Sequence, residues 1–433
     1  MAASRPASVT PTTEGYDHEV ARRSDSPETV RSEANHAAAT ANSEEIATLA
    51  ARARETGRLA IDTEFMGEGR YRSLLCLVQV ATDGVSEGDG PLIALADPLT
   101  DPAPDCSPLA ELMADPEIEI ILHAGRQDTA LLRREWGCDI TNLFDTQIAA
   151  GFAGYGAQAG YANLLSASLN IKVEKGASYT RWDKRPLSDE QLSYARGDVD
   201  HLLDLRDELV RKLTETGRID WAREECMPVA AASDQRDPRE AWRRLSKVTS
   251  LNPKQRAVAR ELAAWREETA LAEDKPVGTI MQDPPMVEIA RRQPQSPGAL
   301  RDIRGLHEGI LRKRGDDLIA AVARGIDADP IPGENRGDGG DSRETALCSL
   351  ADALVRTRTR AADLAPELVA TRSDLQKIVS SVRRGDGEPD VRTLQGWRRE
   401  VVGAELLDLL YGRTALGVGD DLLVEALPRR DRD

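Results

Sequence analysis

The sequence predicts an α/β domain with a mixed sheet flanked by helices, followed by all-α modules. Four short apolar runs of strand length begin at Arg58, segments of helical character flank the fourth, and from about Asn252 apolar residues recur at helical spacing. At 433 residues and 40% hydrophobic content the chain exceeds one ordinary core and suffices for two or three domains.

Residues 1–43 are rich in Ser, Thr, Ala, Pro and Glu, with almost no large apolar side chains to offset the entropy of ordering, so they read as a disordered tail. The strand-like runs are LAID ending at Asp62, SLLCLVQVA from Ser73, PLIALAD from Pro91 and IEIILHAG from Ile118. The first three are joined by short connections, as in an antiparallel meander, and helical segments at Pro108–Ala114 and Gln127–Glu135 flank the fourth. A shorter run at NLFDTQ precedes helical stretches to Gly217. The last of these opens on a capping box, Ser188 with Gln191, and Pro186 discourages an earlier start, so this helix begins near Asp189. The α/β domain is expected over residues 44–217.

A second module, 239–325, follows the polar stretch AASDQRDPRE. Asn252 and Pro253 mark a helix start, with Val258, Leu262 and Trp265 on one face. Residues 326–343 carry Pro, Gly and Asp at a density no element interior tolerates and read as a flexible linker. The third module, 344–428, repeats Leu at helical spacing (Leu347, Leu350, Leu354, then Leu364 and Leu368) and reads as all-helical, a candidate distant copy of the second.

The longest apolar run, SLLCLVQVA, falls well short of the roughly 18 residues of a membrane span. The N-terminus lacks an apolar signal region, and a cytoplasmic protein is expected. Five scattered cysteines, never spaced C-x-x-C, suggest neither a disulfide framework nor structural zinc. The net charge of −17 taken as a total disfavours a polyanionic partner, yet from Arg239 to Gly325 there are 17 Lys plus Arg against 12 Asp plus Glu, a segment of net +5.

Asp62 and Glu64, two apart at the end of the first strand, face one side and can reach one metal ion. Asp128 follows the fourth strand, where a side chain projects into a cleft or caps the next helix. Tyr194 and Asp198, four apart, share one face of the capped helix. Singly, Asp128 is equally a helix cap, and the two pairs read more simply as a solvated strand end and a half-exposed helix face.

Their order is more informative. Acid-x-acid on a first strand, an acid after a later strand and Tyr-x-x-x-Asp on a final helix resembles the tyrosine branch of the DEDD exonuclease superfamily, and within it the ribonuclease D family. IDTEF, LHAGRQD, FDTQIAA and RWDKRPLSDEQLSYARGDVDHL carry the likeness in order across about Arg58 to Gly217. The second module, through AWREETA around Trp265, is similar to the HRDC domain that follows this nuclease. The third, with GWRREVVGAELL around Trp397, is similar to the C-terminal region of actinobacterial relatives.

The resemblance implies a ribonuclease H-like fold and 3′→5′ hydrolysis of RNA 3′ ends, with tRNA precursors or other structured RNA as substrates. It also implies two divalent ions, Mg²⁺ or Mn²⁺, held by Asp62, Glu64, Asp128 and Asp198, with Asp62 bridging. Hard oxygen ligands suit such ions, which activate water and stabilise the leaving oxygen. Tyr194 is expected to orient the attacking water, because a phenol of pKa about 10 is a poor general base. Arg181, Trp182, Lys184 and Arg185 form a basic-aromatic loop suited to terminal phosphates or a stacked base. His123 and His201 read as structural residues, Asp145 as a supporting one, and Gln79, alone in an apolar strand, as facing the substrate. Two other readings are a DNA 3′→5′ exonuclease, which no residue separates from the RNA enzyme, and a non-catalytic nucleic-acid scaffold, which the intact acid set disfavours.

Overall fold

The computed structural model describes residues 40–86, 88–173, 181–333, 342–419 and 424–428. The expected disordered tail lies outside the described residues up to position 39, as does the linker over 334–341. The first element is a helix not anticipated from the sequence, α1 (Ser43–Thr56). Asn42 caps it, accepting from the amides of Glu44 (2.9 Å) and Glu45 (3.1 Å), while the Glu45 carboxylate accepts from the amide of Asn42.

The sheet contains β1 (Arg58–Met66), β2 (Leu74–Thr82) and β3 (Leu92–Ala96). After α2 (Ser107–Ala114) comes β4 (Glu119–Leu122), then α3 (Arg126–Trp136) and β5 (Leu143–Asp145). Strand order is β3-β2-β1-β4-β5, with β1, β2 and β3 an antiparallel meander and β4 and β5 parallel to β1. Helices α4 (Thr146–Phe152), α5 (Tyr161–Leu169), α6 (Asp189–Asp200), α7 (Leu202–Glu215) and α8 (Ile219–Ala230) complete this part. Alternation along β1 decides what each face meets. Leu59 and Ile61 pack with Leu49, Leu112 and Leu132 of α1, α2 and α3, whereas Ala60 packs with Val199 and Leu202 beneath α6 and α7. The mixed sheet flanked by helices is as expected.

The next module has α9 (Pro253–Glu273), α10 (Val277–Ile280), α11 (Asp283–Arg292), α12 (Pro297–Arg301) and α13 (Glu308–Asp327). Asn252 caps α9 with Gln255 as its reciprocal partner, and Val258, Leu262 and Trp265 are buried. Gly325 lets α13 cross α9 closely, since a Cβ there would lie 2.4 Å from the Cα of Val258. The start of the predicted linker is pinned: the amide of Ile331 donates to the carbonyl of Pro253 at 3.0 Å.

After it come α14 (Ser342–Ala361), α15 (Pro366–Val369) and α16 (Arg372–Arg384). The last helix is assembled from α17 (Gly396–Arg398), a π turn over Arg399–Gly403, and α18 (Ala404–Leu410). The expectation of a purely helical end is corrected by a hairpin of β6 (Thr414–Val418) and β7 (Val424–Pro428). Each strand is five residues long and only half-buried, so TALGV and VEALP carry too weak an alternation to stand out.

This last module does not form a core of its own. Trp397 stacks on Trp221 of α8 (5.1 Å, 15°) and meets Phe152 of α4 edge-on (5.1 Å), and Arg398 pairs with Glu225 at 2.5 Å. The middle module touches the nuclease domain at the β1–β2 loop, where the Tyr71 hydroxyl donates to Glu267 (2.7 Å) and Arg70 pairs with Asp274 (2.8 Å). Among the described residues no helix is long and apolar enough to cross a membrane, and all five cysteines are unbridged.

Candidate active site

Strand β4 runs parallel beside the first half of β1 and ends at Leu122, and β1 continues past that end, a place where turns leave a sheet and side chains converge. Asp62 and Glu64 project from β1 on the face that α6 covers, opposite Gln79 and Leu77 of β2. Just beyond Glu64 the register slips, because β2 carries one extra residue, Cys76, against the step to Phe65. Such a bulge bends the strand end and re-aims its side chains. From above comes α6, fixed at its start by the Ser188 hydroxyl accepting from the amide of Gln191 (3.2 Å), and it carries Tyr194 and Asp198 on one face. Carboxylate oxygens of Asp62, Glu64 and Asp198 lie within 4.8 Å of one another.

Asp128 occupies the first turn of α3, where the helix dipole favours a negative charge, and the cap position itself belongs to Gly125. Its carboxylate accepts a short hydrogen bond from the hydroxyl of Thr63, the residue between the two strand acids. Asp145 fixes the turn that launches α3. Its oxygens accept from the amides of Ala124 (3.1 Å) and Gly125 (3.0 Å), and it also caps α4 through the amide of Gln147 (2.8 Å). The supporting role read for Asp145 agrees with this geometry.

Three half-buried acids within 4.8 Å of one another, with the buried Asp128 outside that group but near enough for its charge to be felt, resist ionisation. Burial, then the charges of Asp128, Asp198 and Glu64, hold Asp62 well above the usual carboxylate range. Burial and the charges of Asp198 and Asp128 push Glu64 up to about 8, and burial brings Asp198 to about 7. Burial also raises Asp128, partly offset by the Thr63 hydrogen bond. Tyr194 is pushed up to about 12 by burial and by Asp198, Glu64 and Asp62, so its phenol stays protonated at neutral pH. A hard divalent cation fits this donor set, which supplies only oxygens and whose carboxylates would ionise as a cation offsets their mutual repulsion.

Because these folded-state values lie above the ordinary 4.5 of Glu64 and 3.8 of Asp198, the native state binds more protons than the unfolded chain. The stabilisation that this cluster gives the metal-free protein is therefore complete below about pH 4 and is lost as pH rises through about 7 to 8. Melting in EDTA should show that loss between pH 5 and 8.5, and excess Mg²⁺ or Mn²⁺ should remove it at the alkaline end. A melting point in EDTA insensitive to pH over this range would show that the cluster is already compensated.

The basic-aromatic loop is corrected in part. Trp182 is 6% exposed and packed among Cys76, Leu77, Leu95 and Leu192, so no base can stack on it. Arg185 is a buckle: its guanidinium grips both oxygens of the buried Asp97 and donates to the carbonyls of Cys76 and Trp182. Arg181 pairs with Asp183 at 2.7 Å yet stays exposed, as does Lys184. His123 is structural, its Nδ1 lying 2.9 Å from the Thr146 hydroxyl, which is 3.1 Å from the carbonyl of Leu122, and burial lowers its pKa. His201 sits at the junction of α6 and α7 beside Asp200 and Asp204. Two residues near the acids are missing from the sequence-based site. Thr63 is signalled by its place between them, whereas Tyr161, whose hydroxyl is buried beside the backbone of His201, carries no signal in a lone aromatic at a helix start.

A family model for a 3′-5′ exonuclease matches residues 38–214, and one for the HRDC domain matches 255–322. Ribonuclease D of Gluconacetobacter diazotrophicus is 36% identical over 389 residues, covering 89% of this chain and 95% of that one. The chain belongs to the ribonuclease D family. Ribonuclease D of Granulibacter bethesdensis is 35% identical over 381 residues, 87% of this chain and 93% of its own. The crystal structure of Escherichia coli RNase D superposes with a TM-score of 0.74 at 28% identity, covering 86% of this chain and 98% of that one. As a member of the ribonuclease D family the protein is a hydrolase, a 3′→5′ exonuclease, and its family implies divalent metal ions at the acidic cluster.

Proposed function

We propose that this chain is a 3′→5′ exoribonuclease that shortens structured RNAs, tRNA precursors among them, in the cytoplasm. The observation that carries the reading is the convergence of Asp62, Glu64 and Asp198 within 4.8 Å, with Asp128 and Tyr194 beside them. The sugar preference rests on relatives, among them the Escherichia coli enzyme, an exoribonuclease involved in structured RNA processing.

Asp62, Glu64, Asp128 and Asp198 would hold two cations, Mg²⁺ or Mn²⁺, with Asp62, which feels the charge of the other three, as the bridging ligand. When bound, such ions activate water and stabilise charge on the leaving 3′ oxygen. Thr63 fixes the Asp128 carboxylate. Tyr194, protonated and facing the acids, orients the attacking water through its hydroxyl. Lys184 remains the exposed loop cation for terminal phosphates, and Arg181 would reach them only by exchanging its pairing with Asp183.

Matched 3′-labelled RNA and DNA oligonucleotides, incubated with Mg²⁺, Mn²⁺ or EDTA, test the reading. RNA should be trimmed from its labelled end with either metal, and preferential loss of the DNA label would transfer the site to DNA. Tyr194→Phe removes a hydroxyl but no ligand charge, so calorimetric metal affinity should persist while turnover falls about 100-fold, the scale of a lost general acid–base or water-orienting group. Weakened metal binding in that variant would make Tyr194 part of the metal site.

The two helical modules are read as copies of one design adapted to grip RNA. Each runs long helix, one-turn helix, medium helix, short turn, closing helix. In each, the residue after the one-turn helix (Met281, Ala370) is extended and its amide bonds back to the residue opening that helix (Val277, Pro366). In the first copy Lys247, Lys254, Arg304 and Arg312 are exposed, with no ion pair among the described residues. Replacing all four by alanine should weaken RNA affinity and flatten the slope of log K against log salt by about 0.7 for each phosphate no longer neutralised, while single-turnover cleavage at saturating RNA is unchanged. An unaltered salt slope would leave these charges a solvated surface.

A further inference from the structure

We propose that Gln79 is a positioning residue of the nuclease site: its side-chain amide holds the Asp62 carboxylate at one rotation when that carboxylate takes a cation. The inference rests on the carboxylate reading above and adds a residue to it. Gln79 lies mid-strand in β2, fully buried, and neither its Oε1 nor its Nε2 has a hydrogen-bond partner. Burying an amide unpaired is costly, and an apolar side chain of the same length would fill the space without that cost. A partner is therefore expected in another state of the site.

The register names that partner. Gln79 pairs with Asp62 across the antiparallel β1–β2 ladder, so the two side chains leave the sheet on one face, with Cβ atoms about 5 Å apart. On that face the neighbours along β2 are Leu77 and Ala81, and the pair partner on β3 is Leu95, none of which offers a polar side-chain atom. Above lies α6, which contributes Leu192, Ala195 and Val199 to the packing and keeps its backbone amides bonded within the helix. α6 also brings Tyr194 and Asp198 over this face, but the polar group directly opposite the amide across the pair is the Asp62 carboxylate, whose oxygens cluster with those of Glu64 and Asp198. A ligating carboxylate turned toward a cation leaves its other lone pairs free, and an N–H donor from outside the metal shell fixes its rotation. The Nε2 of Gln79 is placed to be that donor.

The test compares wild type, Gln79→Met and Asp198→Asn by melting in EDTA and by calorimetric titration with Mn²⁺. Gln79→Met should melt at or above the wild-type temperature, having lost a buried unpaired amide, yet bind Mn²⁺ about 10- to 100-fold more weakly, the usual effect of losing such an outer partner. Wild-type affinity in a folded Gln79→Met overturns the proposal and leaves the carboxylate reading intact. Wild-type protein that binds no Mn²⁺, or Asp198→Asn that binds it undiminished, instead overturns the carboxylate reading. Should Gln79→Met fail to fold, side-chain amide resonances of ¹⁵N-glutamine-labelled wild type decide. With Mg²⁺ added, one buried pair must shift and become protected from exchange, and a glutamine spectrum unmoved by Mg²⁺ overturns the proposal.

Discussion

Asp198→Asn should lower RNA hydrolysis by about 10³-fold or more at saturating metal, and at pH 8 the same variant should melt higher than wild type in EDTA. The two effects have one origin. Asp198 belongs to a group of half-buried acids each of which is held above its ordinary pKa, so its charge burdens the metal-free fold. The amide keeps the shape and removes the charge, relieving Glu64 and Asp62. What is lost is charge at the metal site, where several kcal/mol of transition-state stabilisation originate, and each 1.36 kcal/mol is tenfold in rate. Quenched-flow or gel assays of a 3′-labelled RNA give the first quantity and calorimetry the second. Turnover near wild type would remove Asp198 from the site, and a lower melting point would show that its charge is compensated within the fold.

Trp397→Ala should destabilise the whole nuclease by about 3 to 5 kcal/mol, the range for deleting a large buried aromatic. Trp397 is 3% exposed and serves two elements of the nuclease domain at once, face-on to Trp221 and edge-on to Phe152. At about 2 to 4 °C per kcal/mol for a domain of this size, the melting point should fall by roughly 6 to 20 °C. Nuclease activity and the C-terminal helices should be lost together in one transition. If activity outlasted the helical signal on heating, the last module would be an appendage and the shared core would carry little stability.

Much of the site was legible because it is written in short-range periodicities. Asp62 and Glu64 are two apart on a strand, Tyr194 and Asp198 four apart on a helix, and the cap of that helix is a local pattern at Ser188 and Gln191. The interactions that decide accessibility were not legible, because their partners are distant in the chain. Nothing near Arg185 announces Asp97, and nothing near Trp182 announces Leu77 and Leu95. Asp128 shows the boundary between the two cases. Its position after an apolar strand was visible, but choosing between cap and cleft required the Thr63 hydroxyl and the Asp145-braced turn. The hairpin at the C-terminus escaped because two half-exposed five-residue strands carry little hydrophobic signal.

The shared core of the first and last modules also has a consequence for how the protein is made. Phe152 and Trp221 leave the ribosome long before the residue that covers them, with the middle module and its neighbours, roughly 180 residues, synthesised between; at about 5 to 20 residues per second that is on the order of 10 to 35 s. During that interval the nuclease domain has its sheet and its acids but presents an aromatic face meant for Trp397 to whatever else is in solution. Pairing residues of such long sequence separation is slow, and an open apolar face is what chaperones bind and what aggregates. A ribosome stalled before Trp397 would therefore carry a nuclease with its chemistry in place and its fold unsealed.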